Sequence, residues 1–145
     1  MKQYRFLALP ILACALACGG EGDDKNNAFM APGEDCVACH KSGGSAREAP
    51  FSAAGTVFAS AMADPGSGLA GVSVILTDAN DVETTLVSNA AGNFFTGAAL
   101  ALPLKKAAVL RNGQRTEMAS APEGACNRCH TQPPTGGASG RIHVP

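Results

Sequence analysis

Two copies of the pattern C-x-x-C-H lie near the two ends of the chain, at Cys36–His40 and Cys126–His130. This pattern is typical of covalent attachment of a c-type haem. Two thiols three residues apart on one helical turn can reach the two vinyl groups of one porphyrin. The histidine that follows then lies under the ring, where its imidazole can bind the iron. The sequence therefore predicts two covalently bound haem c groups.

The predicted thioether positions are Cys36, Cys39, Cys126 and Cys129, and the predicted proximal iron ligands are His40 and His130. Other sites use paired cysteines, but they fit less well. Zinc ribbons place two C-x-x-C pairs about 15–20 residues apart, and a thioredoxin-like redox pair needs a single C-x-x-C in a βαβ unit. Structural disulfides are the remaining alternative in an exported protein, but they need no histidine after the second cysteine.

Two irons leave two distal axial positions to fill, because the motif histidines take the proximal ones. The chain has three histidines in all, so bis-histidine ligation at both haems within one chain is excluded. The candidate distal ligands are Met62, Met118 and His143, with Met30 a weaker fourth. Methionine raises the reduction potential relative to histidine, so unequal distal ligands predict haems of unequal potential. For each methionine, filling a gap in the core is the alternative role.

The first residues have the composition of a secretory signal, with Lys2 and Arg5 ahead of an apolar run that is too short to span a bilayer. The run ends at Ala-Leu-Ala-Cys18, which resembles a bacterial lipobox in which the cysteine is lipidated. We expect a signal peptide over 1–17, a flexible lipid-attached tether over 18–34 and a single dihaem domain over 35–145. Cleavage without lipidation is the alternative.

Within the domain, residues 35–49 hold the first motif, 50–120 a β-rich body, and 121–145 the second motif and a tail. Strands are predicted in the β-rich body, and Asn112-Gly113 is a strong hairpin signal. The tail is rich in proline and glycine, and we expect it to lie over a haem face or a sheet edge, with a frayed terminus as the alternative. The predicted strands are 51–58, 72–77, 82–88, 93–96, 104–110 and 114–118.

The fold class predicted from these strands is mainly β: a small antiparallel β-sandwich with short helical segments at both ends. The segments Gly55-Thr56-Val57, Gly68 to Val74 and Ser88 to Phe94 follow one another in a familiar order. In that order they resemble the carboxypeptidase-regulatory-like, or transthyretin-like, β-sandwich. The resemblance covers about half of the mature chain and implies an immunoglobulin-like or transthyretin-like scaffold without catalysis of its own.

Three functions are compatible with these features. The first is an electron carrier, not an enzyme, tethered in the cell envelope and exchanging electrons with redox partner proteins. The second is a haem enzyme or a gas or redox sensor with one open iron site, and the third is an adhesion module that carries haem. A net charge of −1 with scattered basic residues excludes nucleic acid as an expected partner. We expect an exported protein at the outer membrane or periplasmic face, and exposed haem edges would allow copies to assemble.

Overall fold

The computed structural model describes residues 27–145, so the predicted signal peptide, Cys18 and the first part of the predicted tether lie outside the described residues. Short helices at the two motifs enclose a body of β-strands. In chain order the elements are α1 (Cys36–Cys39), β1 (Ala53–Phe58), β2 (Ser73–Thr77), β3 (Glu83–Val87), β4 (Asn93–Thr96), β5 (Lys106–Arg111), β6 (Gln114–Met118), β7 (Gly124–Ala125), α2 (Cys126–Cys129) and β8 (Ile142–His143).

The first sheet is built around β1. Strand β4 pairs with one edge of β1 in antiparallel orientation. The other edge is shared by two short parallel strands, with β7 beside Ala53 and Ala54 and β8 beside Val57 and Phe58. The predicted small β-sandwich is therefore confirmed, and this sheet is mixed because the C-terminal segment returns along β1 in the same direction.

The second sheet is antiparallel, in the order β3-β2-β5-β6. Alternate residues of β2 are buried, as expected for a strand with one face on the core. Asn112 and Gly113 both have positive φ, 50° and 77°, and join β5 to β6 as the sequence predicted.

The core lies between the two sheets and is small. Its largest fully buried apolar side chains include Phe94 from the first sheet and Leu76 from the second. Val57 and Val74 extend the same cluster, and Met118 packs against it from the end of β6. Within residues 27–145, none of the helices has the length and apolar character needed to cross a bilayer.

Both ends of the described chain are bound to the first sheet. The backbone N–H of Gly33 donates to Thr56 Oγ1 at 2.9 Å, and Asn93 Nδ2 donates to the Met30 carbonyl at 2.9 Å. Residues 28–34 are thus held against the sandwich, and the predicted tether does not extend to residue 34. The tail forms β8 on the edge of β1, so a frayed terminus was the wrong alternative there.

Candidate functional site

Each C-x-x-C-H motif forms a single turn of α-helix, α1 in the first motif and α2 in the second. The backbone N–H of the motif histidine donates to the carbonyl of the first cysteine, at 2.9 Å for His40 and 3.1 Å for His130. Asp35 caps α1, because its Oδ1 accepts a hydrogen bond from the Ala38 N–H at 3.2 Å. Two cysteines and one histidine therefore project from one compact turn in each motif.

The two motif histidines share a second feature, which is the contact of their Nδ1 atom. His40 Nδ1 lies 2.8 Å from the carbonyl oxygen of Ala49, and His130 Nδ1 lies 2.8 Å from that of Gly140. A carbonyl only accepts, so Nδ1 carries the proton and the Nε2 lone pair is free. A backbone carbonyl on the non-ligating nitrogen is the usual way in which proteins orient a metal-binding histidine. Both imidazoles therefore have the tautomer that iron ligation needs.

The loop after each motif folds back over its helix. The backbone N–H of Ala46 donates to the Cys39 carbonyl and that of Thr135 to the Cys129 carbonyl, each at 3.0 Å. At the second motif this return needs a glycine, since Gly136 has φ of 58° and an added Cβ would lie 2.7 Å from Cys129 Sγ. As a result, the carbonyl of Ala49 lies next to His40 and the carbonyl of Gly140 lies next to His130.

Aromatic rings cover the first motif. The imidazole of His40 stacks on Phe51, with centroids 4.0 Å apart and an interplanar angle of 9°. Phe51 in turn stacks on Phe95 at 4.7 Å and 18°, and Phe95 is 40% exposed. A continuous stack of rings therefore runs from the proximal histidine to the surface.

The second motif opens into a cavity of about 230 Å³ between the sheets. Cys126 and His130 line the cavity, together with Met118 and His143. Pockets that enclose drug-sized ligands measure about 300–1,000 Å³. A porphyrin attached at α2 would therefore leave one edge outside this cavity.

The thiols of the two motifs lie in partly apolar surroundings. Burial raises the pKa of Cys126 to about 12, and the neighbouring Cys36 thiol adds to this increase. Burial also raises the pKa of Cys36 above its usual value. Cys39 is disulfide-bonded, so attachment of a haem at that sulfur requires reduction of this bond first.

The three candidate distal ligands all lie on the side of the second motif. Met118 and His143 line its cavity, and His143 Nδ1 lies 2.9 Å from the Arg141 carbonyl, which leaves Nε2 free. Met62 is 78% exposed, with its sulfur 3.5 Å from the side-chain nitrogen of Gln132. Met118 and His143 therefore share the cavity of the second motif, and Met62 contacts a residue two positions after His130.

The two motifs are neighbours in space. Arg128 Nε lies 3.0 Å from Asp35 Oδ2, and Asn127 Nδ2 donates to the Glu34 carbonyl at 2.9 Å. Sequence reasoning missed Asn127 and Arg128, because they occupy the variable positions of the second C-x-x-C-H. Their hydrogen-bonding capacity was the only signal, since the first motif has Val37 and Ala38 there.

The residues present fit a covalently attached haem at the second motif, and at the first motif once the disulfide of Cys39 is reduced. Two sulfurs and an imidazole with a free Nε2 share one helical turn, and at the second motif this set faces an apolar cavity. Among residues 27–145, no group of three or more His, Cys, Asp or Glu side chains is placed to hold a bare metal ion.

Comparisons with protein-family models, with curated proteins and with solved structures found no match to this chain.

Proposed function

We propose that this chain is a dihaem c-type cytochrome that transfers electrons in the bacterial cell envelope as a lipid-anchored protein. The observation that supports it best is the matched pair of histidines, each with Nδ1 on a backbone carbonyl 2.8 Å away. A structural disulfide pair would have no use for such an imidazole. The same arrangement at two separate motifs argues for the same chemistry at both.

When bound, each haem supplies a one-electron carrier, and the chain's own residues hold and orient it. Cysteine sulfurs fix the porphyrin edge, and the carbonyls of Ala49 and Gly140 keep Nε2 of each histidine directed away from the backbone. Hydrogen bonding to Nδ1 also makes the imidazole a stronger donor to iron. The aromatic stack beside His40 and the small cavity beside His130 both leave an edge of the site at the surface, where an electron carrier meets its partners.

The anchoring part of the proposal is supported by the sequence. Basic residues, an apolar run and Cys18 stand in the order of a lipoprotein signal. Attachment of c-type haem takes place outside the cytoplasm, so export and haem binding agree. The β-sandwich between the motifs, which resembles carboxypeptidase-regulatory-like domains, would then be a scaffold that holds the two motifs together.

The test is expression of the full chain in a bacterial host with and without haem-attachment machinery. We expect Soret absorption and an intact mass with two haem groups only when the machinery is present. Cys36→Ser with Cys39→Ser, and Cys126→Ser with Cys129→Ser, should each leave one haem and serve as controls for one another. A colourless protein whose mass shows free thiols or plain disulfides at these cysteines would refute the proposal.

One observation favours a second candidate, a gas-binding or sensing function at the first haem. Met118 and His143 line the cavity of the second motif and Met62 lies against Gln132, so these contacts assign no distal ligand to the first haem. Carbon monoxide added to the reduced dihaem protein distinguishes the candidates. Rapid binding at the first haem at neutral pH would favour the sensor, and absence of binding at both haems would favour the electron carrier.

A further inference from the structure

We infer that Asn127 and Arg128 are positioning residues that hold the two haem motifs in one relative arrangement and thereby set the electronic coupling between the two haems. The inference rests on the proposed function, since it concerns how two attached groups are placed. Both residues lie between Cys126 and Cys129, and both reach the segment that leads into the first motif.

Asn127 is buried, at 2% exposure, and uses both ends of its side-chain amide. Its Oδ1 accepts from the backbone N–H of Thr56 at 3.0 Å. Its Nδ2 donates to the Glu34 carbonyl at 2.9 Å and to Thr56 Oγ1 at 3.1 Å. One side chain therefore joins α2, the centre of β1 and the residue two positions before Cys36.

Thr56 extends this connection. Its hydroxyl donates to Asn93 Oδ1 at 2.8 Å and accepts from the Gly33 N–H at 2.9 Å. Asn93 Nδ2 reaches the Met30 carbonyl at 2.9 Å. Networks of buried polar groups that are fully satisfied specify a single arrangement, because any shift leaves a donor or acceptor unpaired. The approach to the first motif is thus fixed by the same network that contains Asn127.

Arg128 adds a second contact outside the network. Its Nε lies 3.0 Å from Asp35 Oδ2, while Asp35 Oδ1 caps α1. The guanidinium also contacts Glu123, and the Arg128 carbonyl accepts from the Thr135 hydroxyl at 2.9 Å. A half-exposed ion pair contributes little stability. Its contribution here is to orientation, because one carboxylate, that of Asp35, both caps α1 and contacts Arg128 of α2.

The first motif provides its own comparison. Val37 and Ala38 occupy the positions of Asn127 and Arg128 and have no side-chain polar atoms. The double variant Asn127→Val with Arg128→Ala therefore turns the second motif into CVACH, a sequence that the chain already uses for its first motif. Attachment at the second motif should survive, while the contacts between motifs are removed.

The measurement is circular dichroism in the Soret region of the dihaem protein, alongside haem content and intact mass. Two porphyrins held at a fixed distance and angle give a bisignate couplet, whose shape depends on their relative orientation. We expect the wild-type couplet to be lost or inverted in the double variant with both haems retained. Arg115→Ala, which removes a surface ion pair with Glu117, should leave it unchanged.

Single variants isolate the Arg128–Asp35 contact and cover poor folding of the double variant. Asp35→Asn keeps an N-cap side chain and removes the charge that Arg128 meets; it should reduce the couplet, and Arg128→Lys should preserve more of it than Arg128→Ala. A wild-type dihaem protein without a couplet, or a couplet unchanged in the double variant and in Asp35→Asn, would overturn the inference and leave the proposed function intact. A wild type without haem would instead overturn the proposed function.

Discussion

The imidazole of His40 lies flat on the ring of Phe51, with an interplanar angle of 9° and a centroid distance of 4.0 Å. Two contacts hold this imidazole. The stack on Phe51 fixes the plane of the ring, and the hydrogen bond to the Ala49 carbonyl fixes its rotation within that plane. His130 has the carbonyl contact, whereas among the histidines of residues 27–145 the ring stack is found at His40. The two histidines that we propose as proximal ligands are therefore held differently, and substitutions should affect one proposed haem at a time.

Phe51→Leu should affect the first haem selectively. Losing the aromatic pair costs about 0.5–1.5 kcal/mol, and the His40 ring gains freedom to rotate about its bond to iron. We expect the reduction potential of one haem to shift while the other stays constant, as measured by spectroelectrochemical titration. Phe29→Leu, at a ring that is 51% exposed, is the control. Equal shifts at both haems would contradict this assignment.

His143, and not Met118, is expected to be the distal ligand at the second haem. His143 Nδ1 is directed to the Arg141 carbonyl, as in the two motif histidines, whereas Met118 packs against the core. His143→Ala should therefore open the second iron to carbon monoxide. Met118→Leu should retain the low-spin spectrum, because the substitution conserves apolar volume. The reverse pattern in the visible spectra would assign the ligand to Met118.

Asn127→Ala should destabilise the protein even without haem. The substitution leaves the Thr56 N–H and the Glu34 carbonyl without their partner, and an unsatisfied buried group costs about 1–3 kcal/mol. Urea denaturation of the haem-free protein should show this loss. The control is Asn80→Ala, at a turn residue outside the network of Asn127 and Thr56. It should change the free energy of unfolding by less than about 0.5 kcal/mol.

The haem-free protein should lose stability in alkali through its buried thiols. The pKa of Cys126 is raised from 9.0 to about 12 in the folded chain, so folding favours the protonated thiol. This contribution is fully present below about pH 9 and is lost as the pH rises towards about 12. The urea concentration at the unfolding midpoint should therefore fall less steeply with rising pH in Cys126→Ala than in the wild-type protein. The dihaem protein should lack this component, because a thioether does not titrate.

Much of the β-sandwich could be predicted from the sequence, because its strands carry local signals. The β-branched run of β2 and the Asn112-Gly113 turn specify their own conformations, and Asp35 is a typical N-cap. Strands β7 and β8 have two residues each and carry no period of their own. They exist only because β1 offers an unpaired edge, which is a property of the tertiary structure.

The candidate site, too, could be predicted only in part from the sequence. Cysteine and histidine spacing predicts the attachment residues, but no local pattern shows that α1 and α2 are neighbours. That contact depends on the hydrogen bond between Asn127 and Thr56 and on the ion pair between Arg128 and Asp35. The two residues of each pair lie far apart in the chain. Sheet pairing likewise brings Met118 and His143 to one cavity. Counting candidate ligands in the sequence therefore does not show which predicted iron each of them would bind.

Among residues 27–145, β1 pairs with three strands, and two of them, β7 and β8, lie in the segment 124–143. Until β7 and β8 arrive, one edge of β1 has no neighbour, and the second pair of cysteines, directly after β7, has no surface to pack against. In the exported cytochrome that we propose, Cys126 and Cys129 would therefore stay accessible until this segment pairs with β1. Closure of the sandwich would then end the interval in which a haem could be added at the second motif.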